Sequence, residues 1–248
     1  RNIMPYRRLP TTDKARIRAL NAALAKVIKN EEKLAFSNHS VEELQNVKNA
    51  FENHLRQYEL DTRLQSENIK EYKEAFDRAK MYVSHFIQVL QFASERGEIN
   101  GGIKYYGNLA SFEGKVPSLN TEEDIIEWGK IMVEGEQKRK QNGGSAIYNP
   151  SIALVKFKVE ELHDASVFQQ TLKRNTLRSF DKMQKLRKTT NDFISKLWTE
   201  IEESLEVESP KVKRQLAQEY GIVYVFRRNE KKKMSAEEMQ TDLLFEFA

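Results

Sequence analysis

The chain has 248 residues, 31% of them charged, a formal net charge of +4, five prolines, ten glycines and no cysteine. Disulfides, thiolate metal sites and cysteine nucleophiles are therefore excluded, and no apolar run reaches membrane-spanning length. Hydrophobic residues make up 39%, enough for a core, and so few helix breakers predict an all-α fold of long helices.

Asn2 to Leu9 has no apolar stretch of the signal-peptide kind, so a cytoplasmic location is the expectation. Arg1 is not an initiator residue, which leaves room for a short preceding leader. Thr11-Thr12-Asp13 then caps an amphipathic helix with Ile17, Leu20, Leu24 and Val27 on its stripe, ending near Asn30. Ser40, with Glu43 three residues on, predicts a capping box. Leu44, Val47, Phe51, Leu55 and Tyr58 follow at threes and fours. A polar stretch, Asp61 to Asn68, interrupts the stripe. Ile69, Tyr72, Phe76, Ala79, Val83, Phe86 and Leu90 resume it, which is the pattern of a seam packed on other helices. The break predicts a hairpin turning between about Glu59 and Asn68. One continuous helix is the rival, favoured by the lack of Gly or Pro.

Gly97 ends this module, and a Gly-rich linker with Tyr105, Tyr106 and Phe112 follows. Thr121 with Glu122, Glu123 and Asp124 opens a second module, acidic where the helix dipole favours it. Gly129 and Gly135 predict close helix approach, and Gly143-Gly144 a helix end. Asn149-Pro150-Ser151 starts a further helical region with Ile152, Val155, Val159 and Leu162. After a polar stretch, Phe180, Met183, Phe193, Ile194, Leu197, Trp198 and Ile201 form its last seam, which ends before Pro210. Tyr220 to Phe226 is β-branched and aromatic and reads as a strand, with Ile103 to Tyr106 as the expected partner. Arg227 to Lys233 is a charged tail.

A shift of 111 residues lays Ser40 on Ser151, Val83 on Ile194, Phe86 on Leu197 and Leu90 on Ile201. Such a period predicts a duplicated helical module. The expected architecture is all-α: two tandem duplicated bundle modules of about three helices each, plus a short C-terminal strand. The bounds are 10–97 for the first module, 98–120 for a structured linker, 121–208 for the second module and 209–248 for strand and tail.

Chemistry is scarce. Glu160 and His163 have the Glu-x-x-His spacing of di-iron bundles, but the chain lacks a second such pair, so no metal and no cofactor are expected. There is no phosphate loop, nucleophile elbow or His-based triad, and a non-enzyme is the expectation. From Lys173 to Lys233 there are 16 Lys+Arg against 9 Asp+Glu, leaving the rest net negative. Arg7-Arg8, Lys138-Arg139-Lys140, Arg187-Lys188 and Lys231-Lys232-Lys233 are dispersed, which argues against nucleic acid.

The segments Phe86 to Leu90, Arg96 to Ile99, Tyr105-Tyr106-Gly107, Trp128-Gly129, Gly135-Glu136, Gly143-Gly144 and Glu219 to Tyr224 resemble a family of uncharacterised all-helical bacterial proteins, chiefly from Bacteroides-like organisms. The resemblance spans nearly the whole chain, and since no activity is assigned to that family it implies no catalytic residues. The expected function is structural or macromolecular interaction with a protein partner, with Tyr105, Tyr106, Tyr220 and Tyr224 as candidate binding residues. An enzyme or small-ligand binder with a cleft between the modules is the alternative. The heptad stripe would serve a homodimer equally well.

Overall fold

A computed structural model describes residues 5–29, 34–99 and 102–226. These residues are mostly helical: α1 (Asp13–Ile28), α2 (Asn38–Glu95), α3 (Glu122–Gln141), α4 (Ile152–Ser204) and α5 (Pro210–Glu219), with strands β1 (Tyr6–Arg7) and β2 (Tyr224–Val225). No helix among them is long and apolar enough to cross a membrane. Asn30, Gly101 and the tail from Arg227, with its lysine run, lie outside the described residues.

The expected hairpins are replaced by single helices of 58 and 53 residues, α2 and α4. The ranges 10–97 and 121–208 therefore each hold one short and one long helix, where about three are expected. The polar stretch Asp61 to Asn68 includes the good helix formers Arg63, Leu64, Gln65 and Glu67 and holds neither Gly nor Pro, so loss of the apolar stripe alone does not stop the helix. Thr176 Oγ1 donates to the Asp61 carbonyl at 3.2 Å, which gives that stretch a tertiary partner without a core.

The α2 cap also differs. Ser37 accepts from the Ser40 N–H at 3.3 Å, so the helix begins one turn earlier than expected. Ser40 is buried inside the first turn and donates to Glu200 Oε2 at 2.5 Å. Ser151 does cap α4, accepting from the Leu154 N–H at 3.4 Å. Thr121 and Asp124 form a reciprocal capping box at the start of α3.

β2 pairs antiparallel with β1, Tyr6 opposite Val225 and Arg7 opposite Tyr224, and not with Ile103 to Tyr106. Gly102–Tyr105 is a 3₁₀ turn instead. Gly102 and Gly107 adopt φ of 62° and 58°, left-handed backbone that closes turns and breaks a strand.

By contacts the chain divides into two compact units, Arg1–Glu59 with Arg178–Ala248, and Leu60–Leu177. These cut the chain differently from the tandem bounds 10–97 and 121–208. In the first unit the start of α2 and the end of α4 run antiparallel, as the bonds Ser40 to Glu200 and Lys196 to Glu43 require. Its core joins Leu20, Ala23, Leu44, Ile194, Leu197, Trp198 and Ile201 to Tyr220, Ile222 and Tyr224. In the second unit α3 packs on the end of α2 and the start of α4 around Val83, Phe86, Leu90, Tyr106, Ile125, Met132, Val155 and Leu162. A Cβ on Gly129 would meet Val159 Cγ2 at 2.6 Å, so this glycine is what lets α3 approach α4. The seam residues Val83, Phe86, Leu90, Ile194, Leu197 and Ile201 are all buried, each such side chain contributing about 1.5–3 kcal/mol. Ile69 and Phe180, at the outer ends of the stripes, are exposed.

Candidate functional site

Three of the four candidate tyrosines spend both ring and hydroxyl on the interior. Tyr106 is fully buried and donates to Glu136 Oε2 at 2.5 Å. Arg139 closes this cluster, with Nε 3.0 Å from both Tyr106 Oη and Glu136 Oε2 and Nη2 2.9 Å from Glu136 Oε1. It also donates to the Ser145 carbonyl, while the Ile147 N–H reaches Glu136 Oε1 at 3.2 Å. Burial pushes the Glu136 carboxyl up, but Arg139, Tyr106 and the Ile147 amide outweigh it and hold it below the ordinary value. Burial and the neighbouring carboxylate drive the Tyr106 hydroxyl well above its ordinary value, so it stays a neutral donor. The cluster pins the Gly143-to-Ile147 connection onto α3. With every oxygen occupied, it holds no poised acid or base.

Tyr220 packs edge-on against Phe36, with ring centroids 5.9 Å apart, and accepts from the Ala35 N–H at 3.3 Å. Tyr224 donates to Glu202 Oε1 at 2.6 Å, and Arg7 sits 3.4 Å from the other Glu202 oxygen. Tyr220 and Tyr224 thus meet in one core, that of the first unit. Tyr105 and Tyr106 belong to the second. Tyr105 is half-buried, with Lys104 Nζ 5.1 Å from its ring centroid.

Glu160 and His163 are both exposed on α4, and Lys156 lies 3.7 Å from Glu160. Among the described residues no group of three or more His, Asp and Glu is placed to hold a metal ion.

A groove of about 610 Å³ opens on the first unit. Its walls are the Arg8-to-Thr12 connection, α1, Trp198 from α4, and Gly221 to Val225. Ala15, Ala19 and Ala22, spaced by four and three, place methyl groups on one α1 face. They line the groove with Ile222 and Val223. Gly221 has φ of 88°, and a Cβ there would meet Ala22 Cβ at 3.0 Å and the Ala19 carbonyl at 3.1 Å. Only glycine lets this turn press onto α1 and shape the wall.

Arg8 and Arg18 stand on the groove, both exposed, and no carboxylate lines it among the described residues. Three carboxylates of the same unit already have partners. Asp13 is held by Arg187 at 2.7 Å and Arg16 at 3.0 Å, Glu202 by Arg7 and Tyr224, and Glu219 by Lys26. The side chains of Arg8 and Arg18 make no hydrogen bond or ion pair among the described residues.

Sequence reading singled out Arg7-Arg8 only as a dispersed basic pair. The structure separates them: Arg7 turns inward to Thr199 Oγ1 at 3.0 Å, and Arg8 faces the groove. The Ala15, Ala19, Ala22 spacing is the one local signal that marks the groove in the sequence. No protein-family model, curated protein or solved structure matches the chain.

Proposed function

We propose that this is a macromolecular-interaction protein, a helical scaffold that binds a protein partner through the groove between α1 and the β1–β2 ribbon. The observation that carries the proposal is a contrast in how polar groups are used. The Tyr106–Glu136–Arg139, Ser37–Ser40–Glu200, Asp13–Arg16–Arg187 and Arg7–Glu202–Tyr224 clusters each tie separate segments of one unit together, with their oxygens occupied. The groove instead combines apolar wall and uncompensated charge on an accessible surface, which is the makeup of a recognition patch.

The scaffold reading includes a duplication. Moved forward by the 111 residues that join Ser40 to Ser151, α1 falls inside α3 and α2 covers α4. Each unit then holds the beginning of one long helix and the end of the other, with α1 and α5 in the first unit and α3 in the second. The caps Ser37 and Ser151 fall three residues out of that register, so the correspondence is of elements and not of every residue.

A photo-crosslinking residue in place of Asn21, on the groove, tests the reading in cells of the native host. It should yield a covalent adduct of higher mass, while the same residue in place of exposed Lys130 on α3 should not. No adduct from position 21, or equal adducts from both, would sink the proposal.

A further inference from the structure

Resting on the interaction reading above, the chemistry of the groove narrows the partner. We infer that its occupant is a peptide segment of another protein in which acidic residues flank apolar ones.

The apolar requirement comes from the wall. Ala15 and Ala22 are small and half-buried, and with the exposed Leu9 and Val223 they present an open apolar surface over the buried Trp198 and Ile222. Filling such a wall removes apolar surface from water on both partners. The acidic requirement comes from the rim. Arg8 and Arg18 present two guanidinium groups, and among the described residues that line the groove there is no Asp or Glu to neutralise them. Asp13, Glu202 and Glu219 already face cations of their own, so none is available to swing across. Guanidinium forks match carboxylates in a bidentate geometry that an ammonium cannot supply. A basic segment would meet repulsion at the rim and, among the described residues, no compensating carboxylate on the wall.

The form of the ligand follows from access. Arg8, Leu9, Thr11, Thr12, Arg18 and Asn21 are all exposed. The site is therefore an open trough along α1 and not an enclosed chamber, which suits a chain passing through more than a small molecule engulfed on all sides.

The test is selection of a random-peptide phage library on the immobilised full-length chain, followed by fluorescence-anisotropy titration of the enriched peptides. The enriched set should carry Asp or Glu beside Leu, Ile, Val or Phe. Binding should weaken at least tenfold in Arg8→Glu/Arg18→Glu, and progressively as salt is raised, since rim charges are screened. Both arginines are exposed, so the variant is expected to keep its fold, which circular dichroism checks. Enriched peptides without acidic bias overturn the inference, as do peptides that bind the double variant equally well and a selection with no enrichment. An adduct from position 21 together with neutral or basic selected peptides would leave the interaction reading standing and remove this one. Tight binding of a small aliphatic carboxylate, used as competitor, with no peptide enriched would assign the groove to a small ligand instead.

Discussion

Replacing Glu136 with Ala isolates the cost of breaking a buried charge cluster. Glu136 is wholly buried and Arg139 is 2% exposed. The substitution removes the acceptor for Tyr106 at 2.5 Å, for Arg139 at 3.0 and 2.9 Å and for the Ile147 amide at 3.2 Å. The guanidinium keeps only Tyr106 Oη and the Ser145 carbonyl, with no countercharge. Stranding a buried charge in this way costs about 3–5 kcal/mol. Glu136→Leu with Arg139→Met removes both charges and refills the space. It still leaves the Tyr106 hydroxyl and the Ile147 amide without their partner, so it should recover at least about 1.5 kcal/mol of the loss without restoring it all. The two tryptophans make the measurement local, because Trp128 belongs to the core of the second unit and Trp198 to that of the first. A urea titration in a Trp198→Phe background, read by Trp128 fluorescence, reports the unit that holds the cluster. A loss under about 1 kcal/mol for Glu136→Ala, or a double variant as unstable as the single, would refute the reasoning.

Thr190 is 1% exposed, and its hydroxyl has no hydrogen-bond partner among the described residues. Thr190→Val removes that unpaired group at constant shape and should stabilise the chain by about 1 kcal/mol, read as a higher urea midpoint. Gly129→Ala drives a methyl into Val159 and should cost about 1–3 kcal/mol, which Gly129→Ala with Val159→Ala should partly relieve. Hydrogen bonds from Arg187 hold the Asp13 carboxyl below its ordinary value of 3.8 against the opposing effect of burial. Its folded pKa is depressed, so its contribution is present above pH 3.8 and lost as pH falls below it. Unfolding free energies measured at pH 6 and pH 3 should therefore differ less in Asp13→Asn than in the parent chain.

Much of the helical pattern is legible in the sequence. The three-and-four spacing from Tyr72 to Leu90 needs no tertiary information, and Ala79, Val83, Phe86 and Leu90 are buried. Thr12 caps α1 and Gly97 ends α2 because both signals are local. The continuity of α2 was not legible, since a polar stretch of helix formers reads the same at a corner and in mid-helix. Ser37 took the cap from Ser40 because Glu200, some 160 residues away, draws the Ser40 hydroxyl inward. The partner of β2 escaped for a similar reason: Tyr6 and Arg7 form no apolar alternation of their own and pair with Tyr224 and Val225 where α1 and α4 bring the two segments together. The groove is further still from view. Its arginines look like any surface pair until Asp13, Glu202 and Glu219 are found paired with other cations.

The interleaving of the long helices also sets an order of events at the ribosome. Everything needed for the second unit lies between Leu60 and Leu177 and emerges as one uninterrupted stretch. The first unit must wait, because Asp13 meets Arg187 across 174 residues and Arg7 meets Thr199 across 192. At about 5–20 residues per second, the apolar face of α1 spends on the order of 10–35 s outside the exit tunnel before α4 arrives to cover it. Leu20 and Ala23, among the most deeply buried side chains of the finished protein, are thus among the longest exposed in the nascent one. A chain cut short inside α4 carries them uncovered for good.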